Sequence, residues 1–254
     1  MLSKSVLRLV RSLDSRKGRR QEGLFVAEGP RLVGELLGHF QCHHLFATTE
    51  WLSAESQRIS HVPHTEVTPA ELTRLSLLQT PQQVLALMRI PEDNAPGPAQ
   101  LSGLHLALDG IQDPGNLGTI IRVADWFGIE HIWCSMNTAD VWNPKVVQAT
   151  MGGLSRVRVH YLDLVSFLSS LPADCPVFGT SLSGQSLWSE PLSPQGVIVM
   201  GNEGNGVSRE VDSLCSRRLL IPSHPTGHVT TESLNVAMAT GIVLAEFRRR
   251  QALS

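Results

Sequence analysis

The sequence predicts an α/β protein built on a mainly parallel sheet with helices on both faces, preceded by a smaller α/β unit. Three observations lead there. From about residue 104 onward, short runs rich in Val, Ile and Leu alternate with helix-length amphipathic stretches, the pattern of a parallel sheet. A Pro-rich polar stretch, Pro91-Glu-Asp-Asn-Ala-Pro-Gly-Pro-Ala-Gln100, separates that region from what precedes it. The run Val197-Ile-Val-Met-Gly-Asn-Glu-Gly-Asn-Gly-Val-Ser208 carries a buried strand into a glycine-rich loop and then a helix start. Domains are therefore expected at residues 1–92 and 102–254, with 93–101 as linker.

Composition narrows the function classes. At 254 residues, 42% hydrophobic and 17% charged, the chain has the balance of a soluble globular protein. Its longest apolar runs, such as Val84 to Met88, fall far below the roughly 20 residues that span a bilayer, and no signal-peptide core follows the N-terminus. Cys42, Cys134, Cys175 and Cys215 form no Cys-x-x-Cys pair, which argues against a disulfide framework and a zinc knuckle, so a cytoplasmic protein without metal or membrane partner is expected. Cys42-His43-His44 is adjacent rather than helix-spaced and lacks a second ligand pair. The net charge of −2 hides an asymmetry: Lys4, Arg8, Arg11, Arg16, Lys17, Arg19 and Arg20 face only Asp14 in the first stretch of chain. Such a start can neutralise phosphates, lie as a solvated helix, or serve as a transit peptide.

In order along the chain, Leu2, Val6, Leu9, Val10 and Leu13 share one helical face, and a basic loop is expected at 14–22. A strand at 24–27, a helix at 31–37, a strand at 44–48, a helix at 70–78 and a strand at 84–90 complete the first unit. Beyond the linker, strands are expected at 104–108, 131–135, 156–160, 177–180, 197–200 and 218–221. Helices are expected at 117–127, 144–151, 162–171 and 208–215, and a final one at 233–250 that is apolar almost all round.

Three stretches at strand ends carry the candidate chemistry. In Leu108-Asp-Gly-Ile-Gln-Asp-Pro-Gly-Asn116-Leu-Gly118-Thr-Ile-Ile-Arg122, Pro114 and Gly115 read as a turn. After it, Gly118, Arg122 and Asp125 line the polar side of a helix, opposite Leu117, Ile120, Ala124 and Phe127. Arg122 is then either a surface partner of Asp125 or a functional cation. The loop from Gly201 to Gly206 has Gly-x-x-Gly-x-Gly spacing, neither a dinucleotide fingerprint nor a Walker loop, and is either a tight turn or a place where backbone approaches a ligand. Ser208 is a good N-cap with Glu210 behind it. The third stretch is Ile221-Pro222 followed by Glu232-Ser233-Leu234-Asn235-Val-Ala-Met-Ala239, where Ser233 and Asn235 are positioned as caps.

Taken together, Asn116-x-Gly118-x-x-x-Arg122, Val-Met-Gly201-Asn-Glu203-Gly-x-Gly-Val-Ser and Ile-Pro…Glu-Ser233-Leu-Asn235-Val-Ala resemble the three motifs of SpoU/TrmH-type RNA 2′-O-methyltransferases of the knotted SPOUT superfamily. Asn143-Pro144-Lys…Met151-Gly152-Gly and Gly179-Thr180-Ser-Leu-Ser-Gly184 are similar to the family's connecting segments. Phe25-Val-Ala-Glu28-Gly29…Leu36-Leu37 resembles its ribosomal-protein-like RNA-binding domain, for which a basic lead-in is usual, and this displaces the transit-peptide reading. The resemblance implies a deep C-terminal trefoil knot, a homodimer through the catalytic domain, and S-adenosylmethionine as cofactor. It places that cofactor against Thr180, Ser181, Gly184, Met200, Gly201, Asn202, Glu203, Gly204, Ile221, Ser233 and Leu234. It implies methyl transfer to a ribose 2′-hydroxyl of ribosomal or transfer RNA, with Arg122 as the main catalytic residue and Asn116, Glu203, Ser233 and Asn235 holding its geometry. Arg16, Lys17, Arg19, Arg20 and Arg122 are the expected RNA contacts. Ser223 to Thr231 is longer than the family's connector at that point. Two other readings share much of this pattern: an RNA-binding or ribosome assembly factor without catalysis, and a knotted base methyltransferase.

Overall fold

The computed structural model describes residues 2–225 and 231–252, so the middle of the long 223–231 connector lies outside the described residues. In α1 (Lys4–Ser12) the Ser3 side chain accepts the Val6 N–H at 3.2 Å, and Val10 is buried. The expected basic loop is a helix, α2 (Arg16–Glu22), capped by the Ser15 hydroxyl on Gly18 N–H and closed by Gly23 at φ 63°. It has no apolar stripe to announce it in sequence. Its inward-facing anchor is Arg19, 2% exposed, which donates to Asp140 and to the carbonyls of Leu13 and Asp14.

The rest of the first unit comprises β1 (Leu24–Glu28), α3 (Pro30–Leu36), β2 (Cys42–Ala47), α4 (Thr49–Ala54), β3 (His64–Glu66), α5 (Pro69–Leu75) and β4 (Val84–Arg89). The sheet order is β1-β4-β2-β3, antiparallel except for β2 with β3. The sequence shows neither α4 nor β3, because both are too short for a period to emerge and β3 is exposed throughout. Val10 and Leu13 from the N-terminal helix join Leu24, Val26, Leu72, Leu85 and Leu87 in one core.

The second unit begins at Asp93. Within the expected linker a single 3₁₀ turn forms at Pro98–Gln100. Then follow β5 (Leu104–Asp109), α6 (Pro114–Trp126), β6 (His131–Ser135), α7 (Pro144–Ala149), β7 (Arg158–Leu162), α8 (Leu164–Ser169), β8 (Val177–Ser186), β9 (Gly196–Gly201), α9 (Arg209–Asp212), β10 (Arg217–Leu220) and α10 (Val236–Gln251). By its contacts the segment Asp140–Ser155, which contains α7, belongs to the first unit: Asp140 pairs with Arg19, and Trp142 packs on Phe25 with ring centroids 4.7 Å apart.

All strand pairs in the second sheet are parallel, in the order β10-β8-β9-β5-β6-β7. Alternate residues face opposite sides. Ala107, Trp133, Val177, Val197 and Val199 pack on α8 and α9, while Phe178, of the other parity, meets Phe247 of α10 edge-on.

Several element ends differ from expectation. Pro114 and Gly115 are not a turn but the first turn of α6, with Asp113 as N-cap accepting Asn116 N–H at 2.7 Å and Pro114 at a position that needs no N–H. Gly118, expected on the polar side of that helix, is buried. The 156–160 strand lies two residues later as β7, and α9 is a single turn rather than a helix over 208–215. The last helix starts at Val236 and is not buried all round: Met238 is 64% exposed and Leu234 before it 50%.

Candidate active site

In an open parallel sheet, ligands bind beyond the carboxyl ends of the strands. Here the adjacent ends of β5 and β9 carry the first two motifs, and α10 begins beside them. Asn235 caps α10: its Oδ1 accepts the N–H groups of Ala237 at 3.0 Å and Met238 at 3.3 Å. Capping commits that oxygen, so the amide nitrogen is left to donate, and it does so to Asn116 Oδ1 at 2.9 Å. Asn116 must then present its own Nδ2 on the far side, where it donates to Glu203 Oε1 at 2.7 Å. A carboxylate can only accept, so the chain Asn235 to Asn116 to Glu203 has one direction.

Asn202 shapes the glycine loop. Its N–H and C=O pair with the C=O and N–H of Gly206, both at 2.9 Å, and its Oδ1 accepts from Gly204 and Asn205 at 2.9 and 3.1 Å. Gly206 sits at φ 70°. A Cβ on Gly201 would lie 2.2 Å from Val207 N, so the close backbone approach that Gly201 serves is to the chain's own loop, not to open ligand space as the sequence suggested. Gly204 is exposed and its nearest neighbour would be 3.6 Å from a Cβ, leaving it room to approach a ligand.

The third segment at this edge is a bulge within β8. Consecutive residues Arg218 and Leu219 of β10 pair with Gly179 and Gln185 of β8, so residues 180–184 bulge out of the pairing between them. Gly184 lets the segment return: a Cβ there would meet Arg218 O at 2.5 Å. Thr180 Oγ1 donates to Val199 O at 3.0 Å, tethering this segment to β9, and Ser181 Oγ lies 3.2 Å from Ser183 Oγ. Because β10, β8 and β9 are neighbours, the segment 180–184, the loop after Met200 and the end at Ile221 stand side by side. Exposed Leu182 and Leu234 offer apolar surface to a flat base. These segments fit a nucleoside cofactor. Met200 is 1% exposed, and its side chain packs in the core rather than facing the site.

Arg122 is exposed on α6, and Asp125 is not its partner: Asp125 is held by Arg156 through two hydrogen bonds of 2.7 and 2.8 Å. Among the described residues Arg122 makes no hydrogen bond or ion pair. It also stands apart from the asparagine chain, about 9 Å further along the helix than Asn116. Ser233 is exposed beside Asn235, and its backbone carbonyl accepts from Thr231. Of the expected RNA contacts, Arg16, Lys17 and Arg20 are exposed, but Arg19 is buried and spent on Asp140, which removes it from the set. Sequence reasoning missed Asp113 as the cap that aims Asn116, although an Asp directly before a Pro at a helix start is the signal for it.

A polar cavity of about 310 Å³ lined by His105, Glu130, His131 and Arg248 opens at the opposite, amino end of β5 and β6 and takes no part in this site. Among the described residues no three His, Cys, Asp or Glu side chains gather as a metal site, and no helix is long and apolar enough to cross a membrane.

A parallel α/β sheet with a glycine-rich loop and a bulged segment at its carboxyl edge, beside an asparagine chain, is an arrangement that fits a nucleoside-binding enzyme. Residues 103–245 match the SpoU rRNA Methylase family, and the chain belongs to that family of S-adenosylmethionine-dependent RNA methyltransferases. Residues 4–86 match the MRM3-like substrate binding domain. The chain is similar to a 23S rRNA guanosine 2′-O-methyltransferase, RlmP of Bacillus subtilis, at 28% identity covering 94% of both chains. A putative RNA methyltransferase of the TrmH family from Porphyromonas gingivalis shares the fold with a TM-score of 0.88 and 42% identity, covering 98% of this chain and 99% of that one. An rRNA methyltransferase from Sinorhizobium meliloti solved with AdoMet bound matches with a TM-score of 0.85 and 28% identity, covering 98% and 96%.

Proposed function

We propose that this protein methylates a ribose 2′-hydroxyl in ribosomal or transfer RNA, using S-adenosylmethionine held by the bulged segment 180–184 of β8 and the loops that end β9 and β10. The observation that carries the reading is the directed chain from Asn235 through Asn116 to Glu203, which joins three motifs far apart in sequence into one site. The cofactor supplies a methyl group on a positively charged sulfur. Thr180, Ser181, Gly184, Met200, Gly201, Asn202, Glu203, Gly204, Ile221, Ser233 and Leu234 would bind and orient it. Asn116, Glu203, Ser233 and Asn235 would hold the site's geometry so that the ribose 2′-hydroxyl and the cofactor can be oriented toward each other. The Arg122 guanidinium would stabilise negative charge developing on the ribose oxygen and grip the target phosphate.

The same reading ties the C-terminal part in a trefoil knot, an exception to the rule that chains do not thread loops, and the likeness to the family's solved structures supports it. It makes the catalytic unit a homodimer, supported by the exposed apolar Leu234 and Met238, and a sedimentation profile of a folded monomer would count against it. Residues 1–92 grip RNA through Arg16, Lys17 and Arg20, supported by the substrate-binding match. Four free cysteines are in keeping with a reducing cytoplasm.

Incubation with RNA and isotope-labelled cofactor, followed by mass spectrometry of nucleosides, tests the reading. A 2′-O-methylated nucleoside is expected. A methylated base in its place makes the protein a knotted base methyltransferase, and tight RNA binding with no label makes it an assembly factor.

A further inference from the structure

Asp109, the last residue of β5, is 8% exposed and has no cationic partner among the described residues. Burying a carboxylate without a counter-charge is costly unless it serves as an acceptor. Its Oδ2 accepts the backbone N–H of Ser208 at 2.8 Å. Ser208 is the residue where the glycine loop ends and α9 begins, yet its own hydroxyl makes no capping bond. The loop's other end is held from the neighbouring residue: Asn202 Nδ2 donates to Gly110 O at 2.8 Å. Asp109 is also the register partner of Gly201, the last residue of β9. Two consecutive residues at the end of β5 therefore fasten both ends of the 202–206 loop, one through a charged acceptor and one through a carbonyl. A hydrogen bond to a carboxylate is about twice as strong as one between neutral groups, so the Asp109 end is the firmer of the two.

We propose that Asp109 is a positioning residue for the cofactor: through the Ser208 N–H its carboxylate holds the 202–206 loop in the shape that binds S-adenosylmethionine. The inference rests on the reading of that loop as cofactor-binding. It also explains why the acceptor sits on β5, the strand whose end leads into the motif containing Asn116 and Arg122. The strand that launches the catalytic helix thereby sets the loop across from it, so cofactor and catalytic groups share one rigid base.

Four variants test it by calorimetric titration with S-adenosylmethionine: Asp109→Ala, Asp109→Asn, Ser208→Pro and the double Asp109→Ala/Ser208→Pro. Ser208 has φ −61°, which proline adopts, so Ser208→Pro deletes the N–H while keeping the chain's course. Each of Asp109→Ala and Ser208→Pro is expected to raise the cofactor Kd about tenfold or more, and the double no further than the worse single, because both cut one bond. Asp109→Asn, whose side-chain carbonyl can still accept, is expected within about threefold of wild type. Turnover at saturating cofactor and RNA is expected to fall along with affinity in Asp109→Ala and Ser208→Pro and to be kept in Asp109→Asn, because the same loop carries Glu203. Additive losses in the double, or wild-type affinity in Ser208→Pro, overturn the inference while leaving the loop as the cofactor site. Should Asp109→Ala not fold, Ser208→Pro against wild type decides by the same criterion. A wild-type protein that binds no cofactor overturns the reading of the loop and this inference with it.

Discussion

Asn235 Nδ2 donates to Asn116 Oδ1 across 2.9 Å, and the two residues belong to helices whose starts lie more than a hundred positions apart in the chain. The bond is directional because Asn235 Oδ1 is consumed in capping α10. Replacing Asn116 by Ala leaves Asn235 a donor without an acceptor and takes from Glu203 its 2.7 Å donor, leaving only the longer bond from Asn202 Nδ2 at 3.5 Å. Turnover is expected to fall roughly a hundredfold, with cofactor affinity changed little, as removal of a group acting on transition-state geometry does. Steady-state kinetics beside calorimetry checks this split; a loss confined to cofactor affinity contradicts it.

Arg122 has no partner among the described residues, so Arg122→Ala removes no internal ion pair and should leave the melting temperature near that of wild type. At saturating RNA its turnover is expected to drop by about 10² to 10³, since the guanidinium's interaction strengthens as charge develops. Single-turnover methylation at the wild-type rate would return Arg122 to the surface.

Arg19 and its exposed basic neighbours separate cleanly. Arg19→Ala strands Asp140 and two carbonyls and is expected to cost about 3–5 kcal/mol in urea unfolding. The triple variant Arg16→Ala/Lys17→Ala/Arg20→Ala should unfold like wild type but bind RNA more weakly. Its log–log salt slope is expected to be shallower by roughly 2, at about 0.7 per phosphate contact on single strands. An unchanged slope would take these residues out of the RNA contact.

Two glycines in one loop should respond differently. Gly201→Val drives a side chain into the backbone of Gly206 and Val207, so stability and cofactor binding are lost together. Gly204→Ala meets nothing closer than 3.6 Å within the chain, so its melting temperature should hold while cofactor affinity falls through contact with the ligand. Thermal melts with and without cofactor distinguish the two; Gly204→Ala binding as wild type does would place the ligand elsewhere.

Hydrogen bonds from Arg249 and Arg250 hold the Glu246 carboxyl at about 2, below its ordinary value near 4.5. A depressed carboxyl contributes stability that is fully present above its unfolded pKa and is lost as pH falls toward the folded one. Glu246→Gln should therefore melt below wild type at neutral pH, and the gap should narrow as pH is lowered from about 4.5 toward about 2. A gap independent of pH would show that the pairing with the arginines contributes nothing.

What the sequence determined by itself was the order of strands and helices in the second unit, the three motifs, and the family, because long apolar periods and fixed spacings survive without any tertiary context. The Val197–Met200 strand, the Gly201–Gly206 loop and the α10 cap at Asn235 were all legible there. Tertiary structure decided what each polar group was for. Arg19 looks like its neighbours in a basic run, yet it turns inward because Asp140, far along the chain, offers a half-buried carboxylate. Asp125 looks like a partner for Arg122, but Arg156 reaches it with a two-pronged grip that a helical neighbour three residues away does not make. Gly201 reads as space for a ligand and proves to be space for Val207. Asp109 ends a run of apolar residues with nothing local to explain it, because its partner, the Ser208 N–H, is brought to it by pairing of β5 with β9. Local spacing encodes which faces are apolar, but a hydrogen bond or ion pair between distant residues exists only once the sheet has set the two ends side by side.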